Sequence, residues 1–155
     1  MSEPPLAEVG RLFAYRRGSR RVAGQLVQVD DQVHVLTGGS NVGFVVHDGR
    51  ALVIDAGMDR DAARRSLRAL DELGARPVGL ILTHAHADHS GGAAAFVRRA
   101  MAPVLAAPLE AAVVRQPILE PVYLFGGASP VPDLRQKFLL AEPCSVTQEI
   151  EPGPL

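Results

Sequence analysis

The segment that most constrains this chain is Thr83–Gly92, which reads THAHADHSGG. It holds three of the chain's five histidines, and these lie within six residues together with an aspartate. The apolar run Val78–Thr83 before it predicts a buried strand, and the Gly-Gly pair and Ala-rich run after it predict a turn that feeds a helix. In α/β proteins, ligand and metal sites lie at this carboxyl end of a strand.

The spacing of the polar residues in this segment favours metal binding. His84 and His86 are two residues apart, so on a strand-like backbone both rings leave the same face and can reach one ion. Asp88 and His89 follow in the turn, where they can reach a second ion. Imidazole nitrogen and carboxylate oxygen suit zinc, and also iron or manganese. The alternative, that these side chains only pack a core, is disfavoured because burying them unpaired costs several kcal/mol.

Thr83–Gly92 resembles the T-H-x-H-x-D-H-x-G-G signature of the metallo-β-lactamase fold superfamily. Upstream, residues 41–46 and 52–57 resemble early strands of that family, the second ending in a D-x-G turn close to the metals. The resemblance covers about residues 25–106. It implies an α/β (α+β) fold: the N-terminal half of an αββα sandwich, with a mixed β-sheet and helices on one face.

The resemblance also implies a metal-dependent hydrolase. His84, His86, Asp88 and His89 would bind the metal, zinc with two ions per complete site, or else iron or manganese. A metal-bound hydroxide would attack an ester, thioester or lactone-like bond of a small-molecule substrate, and Asp88 would act as the catalytic residue that orients it. The hydroxyacylglutathione hydrolase branch is one subclass that fits. Asp55 would hold a ligand histidine from behind, or be a plain strand-end residue, and both interpretations stay open.

The chain departs from the family pattern after His89, because no further histidine follows and the later acids sit in no matching motif. Two protein ligands per ion are one short of the three that catalytic zinc sites keep. We therefore expect an incomplete site that needs the missing C-terminal half, or a second copy of the chain, as its partner. The alternative is a non-catalytic metal-binding or interaction module that dimerises through its uncovered sheet.

Three segments are expected along the chain: an N-terminal segment at 1–24, the half-domain at 25–115, and a Pro/Gly-rich segment at 116–155. Alternation and turn signals predict local elements within the half-domain. The expected elements are a hairpin over 25–36, a second hairpin over 42–55 with an Asp48-Gly49 turn, a helix capped near Asp59 and stopped by Gly74, a helix over 92–99, a strand over 103–107 and a helix opened by Pro108. His34, between two valines, is expected on the wetter face of its strand.

Composition indicates which partners to expect. The 155 residues carry a formal charge of −1, so nucleic acid is an unlikely partner, and a cluster of arginines in the first 24 residues is interpreted as a solvated face. A single cysteine, Cys144, permits no intrachain disulfide and fits a reducing compartment. No secretory signal is visible, and no apolar run is long enough to span a membrane. We expect a cytoplasmic protein without membrane partners.

Overall fold

The structure, a computed structural model, describes residues 24–151 and residue 153. Within these residues, a seven-stranded sheet has the strands in the order of the sequence. The strands are β1 (Leu26–Gln28), β2 (Val33–Leu36), β3 (Val42–His47), β4 (Arg50–Ile54), β5 (Arg76–Ile81), β6 (Val104–Ala106) and β7 (Gln148–Glu149). The helices are α1 (Arg60–Glu72), α2 (Ala87–Ser90), α3 (Ala93–Ala100), α4 (Pro108–Arg115) and α5 (Leu119–Leu124), with a 3₁₀ turn at Pro132–Leu134.

The sheet is mixed, as expected. Strands β1 to β4 pair antiparallel, and β4 to β7 pair parallel. Asp48 and Gly49 have φ values of +48° and +66°, the left-handed pair that a tight two-residue hairpin turn requires. Both predicted hairpins are therefore confirmed. The parallel pairing of β7 was not predicted, because its two residues carry no alternation signal.

The helices cover one face of the sheet. Successive strand residues point to opposite faces, and one set, which includes Phe44, Val53 and Leu80, is fully buried with Leu70 of α1 and Phe96 of α3. The opposite set is apolar but only half-buried; it comprises Val33, Val35, Val45, Leu52, Ile54 and Ile81. The arrangement confirms a mixed sheet with helices on one side.

His34 corrects one prediction. It lies directly opposite Phe44, which is fully buried, so its ring points to the helix-covered face rather than to the wetter one. The residue is half-buried, and its Nδ1 atom is buried without a hydrogen-bond partner in the described part of the chain. The alternation of valine and histidine along β2 predicted the wrong face for His34, because both faces of this sheet are apolar.

Helix α1 begins where its cap predicts. The Asp59 carboxylate accepts hydrogen bonds from the backbone N–H groups of Asp61 and Ala62 at 3.0 and 3.1 Å. It also pairs with Lys137 at 3.1 Å. Gly74, with φ +61°, ends the helix in the left-handed conformation that glycine adopts most easily. The segment 1–24, with its arginine cluster, lies outside the described residues except for Gly24.

Replacing the Asp59 cap tests this account of α1. We expect Asp59→Ala to lower the free energy of unfolding by about 1 kcal/mol, because two helix N–H groups lose their acceptor. Asp59→Asn should retain most of that stability, since the amide oxygen still caps. Urea denaturation measures both variants, and Asp71→Ala, at an exposed position of the same helix, is the control. Equal losses in the Ala and Asn variants would assign the effect to the Lys137 ion pair instead.

Candidate metal centre

The histidine-rich segment leaves the sheet at the end of β5 and folds into a single helical turn. Residues 82–86 form an irregular connection, and α2 follows at once. The N–H groups of His89 and Ser90 both donate to the His86 carbonyl oxygen at 2.9 Å. This turn brings Asp88 and His89 back towards His84.

Three side chains of this segment converge on one point. The candidate ligand atoms of His84, Asp88 and His89 all lie within 4.8 Å of one another, and the three residues are half-buried. The centroids of the His84 and His89 rings are 4.1 Å apart. Two imidazole nitrogens and a carboxylate oxygen at this separation fit a zinc-like ion. The donor set therefore suits the metal that the sequence predicts.

His86 occupies a different position from its neighbours. Its ring packs edge-on against the His84 ring at 4.9 Å between centroids. The residue is exposed and lies outside the three-residue cluster. The structure thus groups His84 with Asp88 and His89, whereas the sequence analysis grouped His84 with His86. Strand β5 ends at Ile81, so the same-face argument, which holds for residues two apart within a strand, does not apply to His84 and His86.

Asp55 lies directly behind His89. Its Oδ2 atom is 2.7 Å from His89 Nδ1, and the residue is only 5% exposed. Its φ of +63° is a left-handed conformation that costs a non-glycine residue about 1–3 kcal/mol and is typical of functional sites. Such a buried, strained carboxylate held against an imidazole is the arrangement that orients histidine ligands.

Thr83 extends this hydrogen-bond network to His84, and sequence reasoning assigned it no role. Its backbone N–H donates to Asp55 Oδ1 at 2.8 Å, and its hydroxyl lies 2.9 Å from Asp55 Oδ2. The same hydroxyl oxygen is 3.0 Å from His84 Nδ1. If the hydroxyl donates to the carboxylate, it can accept from His84 Nδ1–H. Both histidines then carry their proton on Nδ1 and present an unprotonated Nε2 to a metal.

Gly91 and Gly92 allow the histidine-rich segment to pack closely against the turn that follows Asp55. A Cβ at Gly91 or Gly92 would collide with the carbonyl oxygens of Met58 and Ala56. At this close approach, Ala56 N–H donates to His89 O and Gly92 N–H donates to Gly57 O, each at 2.8 Å. The two glycines are therefore required for the backbone contact that sets Asp55 beside His89.

Other polar residues touch the segment from elsewhere in the chain. Ser40 donates its hydroxyl to the Asp88 carbonyl oxygen, and Glu110 accepts the Ala85 N–H at 2.7 Å. Burial raises the pKa of the Glu120 carboxyl, and the Asp88 carboxylate adds to this, while the His86 ring and the Ala87 N–H oppose it. No motif marks Ser40, Glu110 or Glu120 in the sequence, because each is distant along the chain from the residues it contacts.

Comparison with known proteins adds the family. A family model of the metallo-beta-lactamase superfamily matches residues 35–153. A hydroxyacylglutathione hydrolase of Xanthomonas campestris pv. campestris is 45% identical over 51 residues, which are 33% of this chain and 18% of that protein.

Solved structures show the same fold. A metallo-beta-lactamase of Cronobacter sakazakii with a HARLDQ motif aligns with TM-score 0.65 and 22% identity over 84% of this chain and 49% of its own. A subclass B3 metallo-beta-lactamase of Bradyrhizobium japonicum aligns with TM-score 0.66 and 19% identity over 83% of this chain and 46% of its own. The chain spans about half the length of these structures. No described helix has the length and apolarity to cross a membrane. By its sequence match and its fold, the chain belongs to the metallo-beta-lactamase superfamily.

Proposed function

We propose that this chain forms the metal-binding part of a zinc-dependent hydrolase, completed by a C-terminal half or by a second copy of the chain, that acts on a thioester, ester or lactone-like bond of a small molecule. The observation that carries the proposal is the convergence of His84, Asp88 and His89 on one point, within 4.8 Å. The buried Asp55 carboxylate 2.7 Å behind His89 supports it, because carboxylates in this position orient metal-binding imidazoles.

Each residue has a distinct role in this proposal. When bound, the metal supplies Lewis acidity and lowers the pKa of a water molecule. His84 and His89 would hold the metal through Nε2, the nitrogen left unprotonated when Thr83 and Asp55 accept from Nδ1–H. Asp88, whose Oδ2 is 3.5 Å from His89 Nε2, would be the third donor and would also accept a hydrogen bond from the attacking water and orient it. His86, exposed beside His84, offers a fourth donor at the open side of the cluster.

The choice of bond rests on the partial likeness to hydroxyacylglutathione hydrolase, whose name describes a thioester hydrolase. That likeness spans 33% of this chain, so the oxygen ester and the lactone stay in the test. The purified chain should be loaded with zinc, dialysed and assayed with an acyl-glutathione thioester, the matching oxygen ester and a lactone. Once a second copy of the chain or an added C-terminal half completes the site, we expect turnover that a chelator abolishes and added zinc restores. Turnover that survives both chelation and His84→Ala would contradict the proposal.

Removing the carboxylate behind His89 should weaken metal binding. We expect Asp55→Ala to lower zinc affinity by about 10–100-fold, because the His89 ring loses the partner that fixes its tautomer and direction. Asp55→Asn is the matched variant: asparagine tolerates the left-handed backbone but lacks the charge, and its effect should be smaller. Competition with a zinc-sensitive dye measures the affinity. If Asp55→Ala bound zinc as tightly as the wild-type chain, Asp55 would be a plain strand-end residue with no role in metal binding.

A second function, an interaction module, is favoured by the sheet face that the described helices leave uncovered. Val33, Val35, Val45 and Leu52 on that face are half-buried apolar residues opposite the helices. In this alternative a second copy covers them, and metal binding has no catalytic consequence. Light scattering after size exclusion tests it: a discrete dimer that Val45→Lys converts to monomer supports the module. A monomeric wild-type chain excludes it.

A further inference from the structure

Two glutamates from consecutive helices approach the metal-ligand segment. Glu110 lies in the first turn of α4, and its Oε2 accepts the Ala85 N–H at 2.7 Å. Glu120 lies in the first turn of α5, and the His86 ring and the Ala87 N–H are close enough to its carboxyl to lower the pKa of that carboxyl, against the effect of burial. The amides that they approach are two residues apart, and His86 lies between them.

Glu120 is unusual because its charged side chain is buried. It is only 9% exposed, and its Oε2 atom is buried without a hydrogen-bond partner among the described residues. A carboxylate in that environment costs stability. Such a cost is typical of groups retained for a site rather than for the core. Its neighbours, His86 and Asp88, are both candidate metal-site residues.

We propose that Glu110 and Glu120 are positioning residues that hold the metal-ligand segment by its backbone amides at Ala85 and Ala87. Fixing these two amides sets the φ and ψ angles on both sides of His86 and the direction in which His84 and Asp88 leave the chain. Metal sites need ligands held to within about 0.5 Å, which side chains on an irregular loop reach only with outside support. The consequence for zinc rests on the proposed function, whereas the backbone contact does not.

The first experiment measures the contact itself in metal-free protein. Hydrogen exchange of the Ala85 and Ala87 amides is followed by NMR in Glu110→Ala and Glu120→Ala. We expect exchange about tenfold faster at Ala85 in the first variant and at Ala87 in the second, because a charge-assisted hydrogen bond is lost. The Gln variants retain an acceptor oxygen and should stay close to wild type. Unchanged exchange at both amides in the Ala variants would overturn the proposal.

The second experiment measures zinc affinity in the same variants. We expect a loss of about 10–100-fold in each Ala variant and recovery in the matching Gln variant. Glu72→Ala, at an exposed position of α1, is the control and should bind zinc like wild type. An affinity loss confined to variants that also unfold more easily, with Gln failing to rescue it, would assign the glutamates to general stability and overturn the positioning role.

The positioning role and the proposed function can fail independently of each other. If an Ala variant does not fold, Glu110→Asp or Glu120→Asp takes its place, because it keeps the charge but is one methylene too short to reach the amide; the same faster exchange is expected. If the wild-type chain binds no zinc, the proposed function fails. The exchange rates then still decide whether the two glutamates hold the segment.

Discussion

Replacing His84 with alanine is expected to lower the zinc affinity of this chain more than about 100-fold. Loss of a supporting residue outside the ligand set alone costs about 10–100-fold, and His84 is a candidate ligand whose ring lies 4.1 Å from that of His89. Removing it leaves two donors of the three-residue cluster, fewer than a zinc site keeps. The Thr83 hydroxyl also loses its imidazole partner.

Competition titration with a zinc-sensitive dye measures this affinity. His47→Ala is the matched control, because His47 is an exposed residue at a hairpin turn, hydrogen-bonded to Gln32 at 3.2 Å and distant from the cluster in sequence. We expect His47→Ala to bind zinc like wild type. Equal affinity in the two variants would remove His84 from the ligand set, and with it the proposed hydrolase.

The largest loss of stability is expected from Phe96→Ala in α3. Phe96 is fully buried and belongs to the main apolar cluster with Leu70 and Leu80. Truncating a buried phenylalanine removes its transfer free energy and leaves a cavity, so the free energy of unfolding should fall by about 3–5 kcal/mol. The whole stability of a domain is about 5–15 kcal/mol, so this variant should be close to unfolding.

Urea denaturation followed by circular dichroism measures the change. Phe138→Ala is the control, since Phe138 is 56% exposed, and we expect it to lose much less stability than Phe96→Ala. A loss of under 1 kcal/mol in Phe96→Ala would show that α3 does not pack on the sheet as described. Together with His84→Ala, the experiment separates residues that hold the fold from residues that form the site.

Local features of the fold were predicted well from the sequence, because their causes are local. The Asp48-Gly49 turn depends on two adjacent residues that tolerate positive φ, and the start of α1 depends on Asp59 and the two amides that follow it. The prediction for His34 was wrong because its cause is not local. Its environment depends on the strand register that sets it against Phe44, and alternation along one strand does not contain that information.

The candidate site also has features that the sequence predicts and features that it does not. Its candidate ligands could be named from the sequence because His84, His86, Asp88 and His89 lie within six residues, and a short segment at a strand end has few ways to spread them. Their grouping could not, since it depends on the single turn of α2 that follows the irregular connection. The sequence left two interpretations of Asp55 open, and the one in which it supports a ligand histidine now has a 2.7 Å contact with His89 in its favour.

By itself, the sequence determined the superfamily, the kind of donor atoms on offer and most of the strands and helices between β1 and α4, because each of these is encoded in residues that are neighbours along the chain. Only the tertiary structure decided which side chains support the donors. Asp55 and His89 are 34 residues apart, and Glu110 and Ala85 are 25 apart. Contacts across such distances depend on the path of the backbone between them, which here is set by the packing of the helices on one face of the sheet.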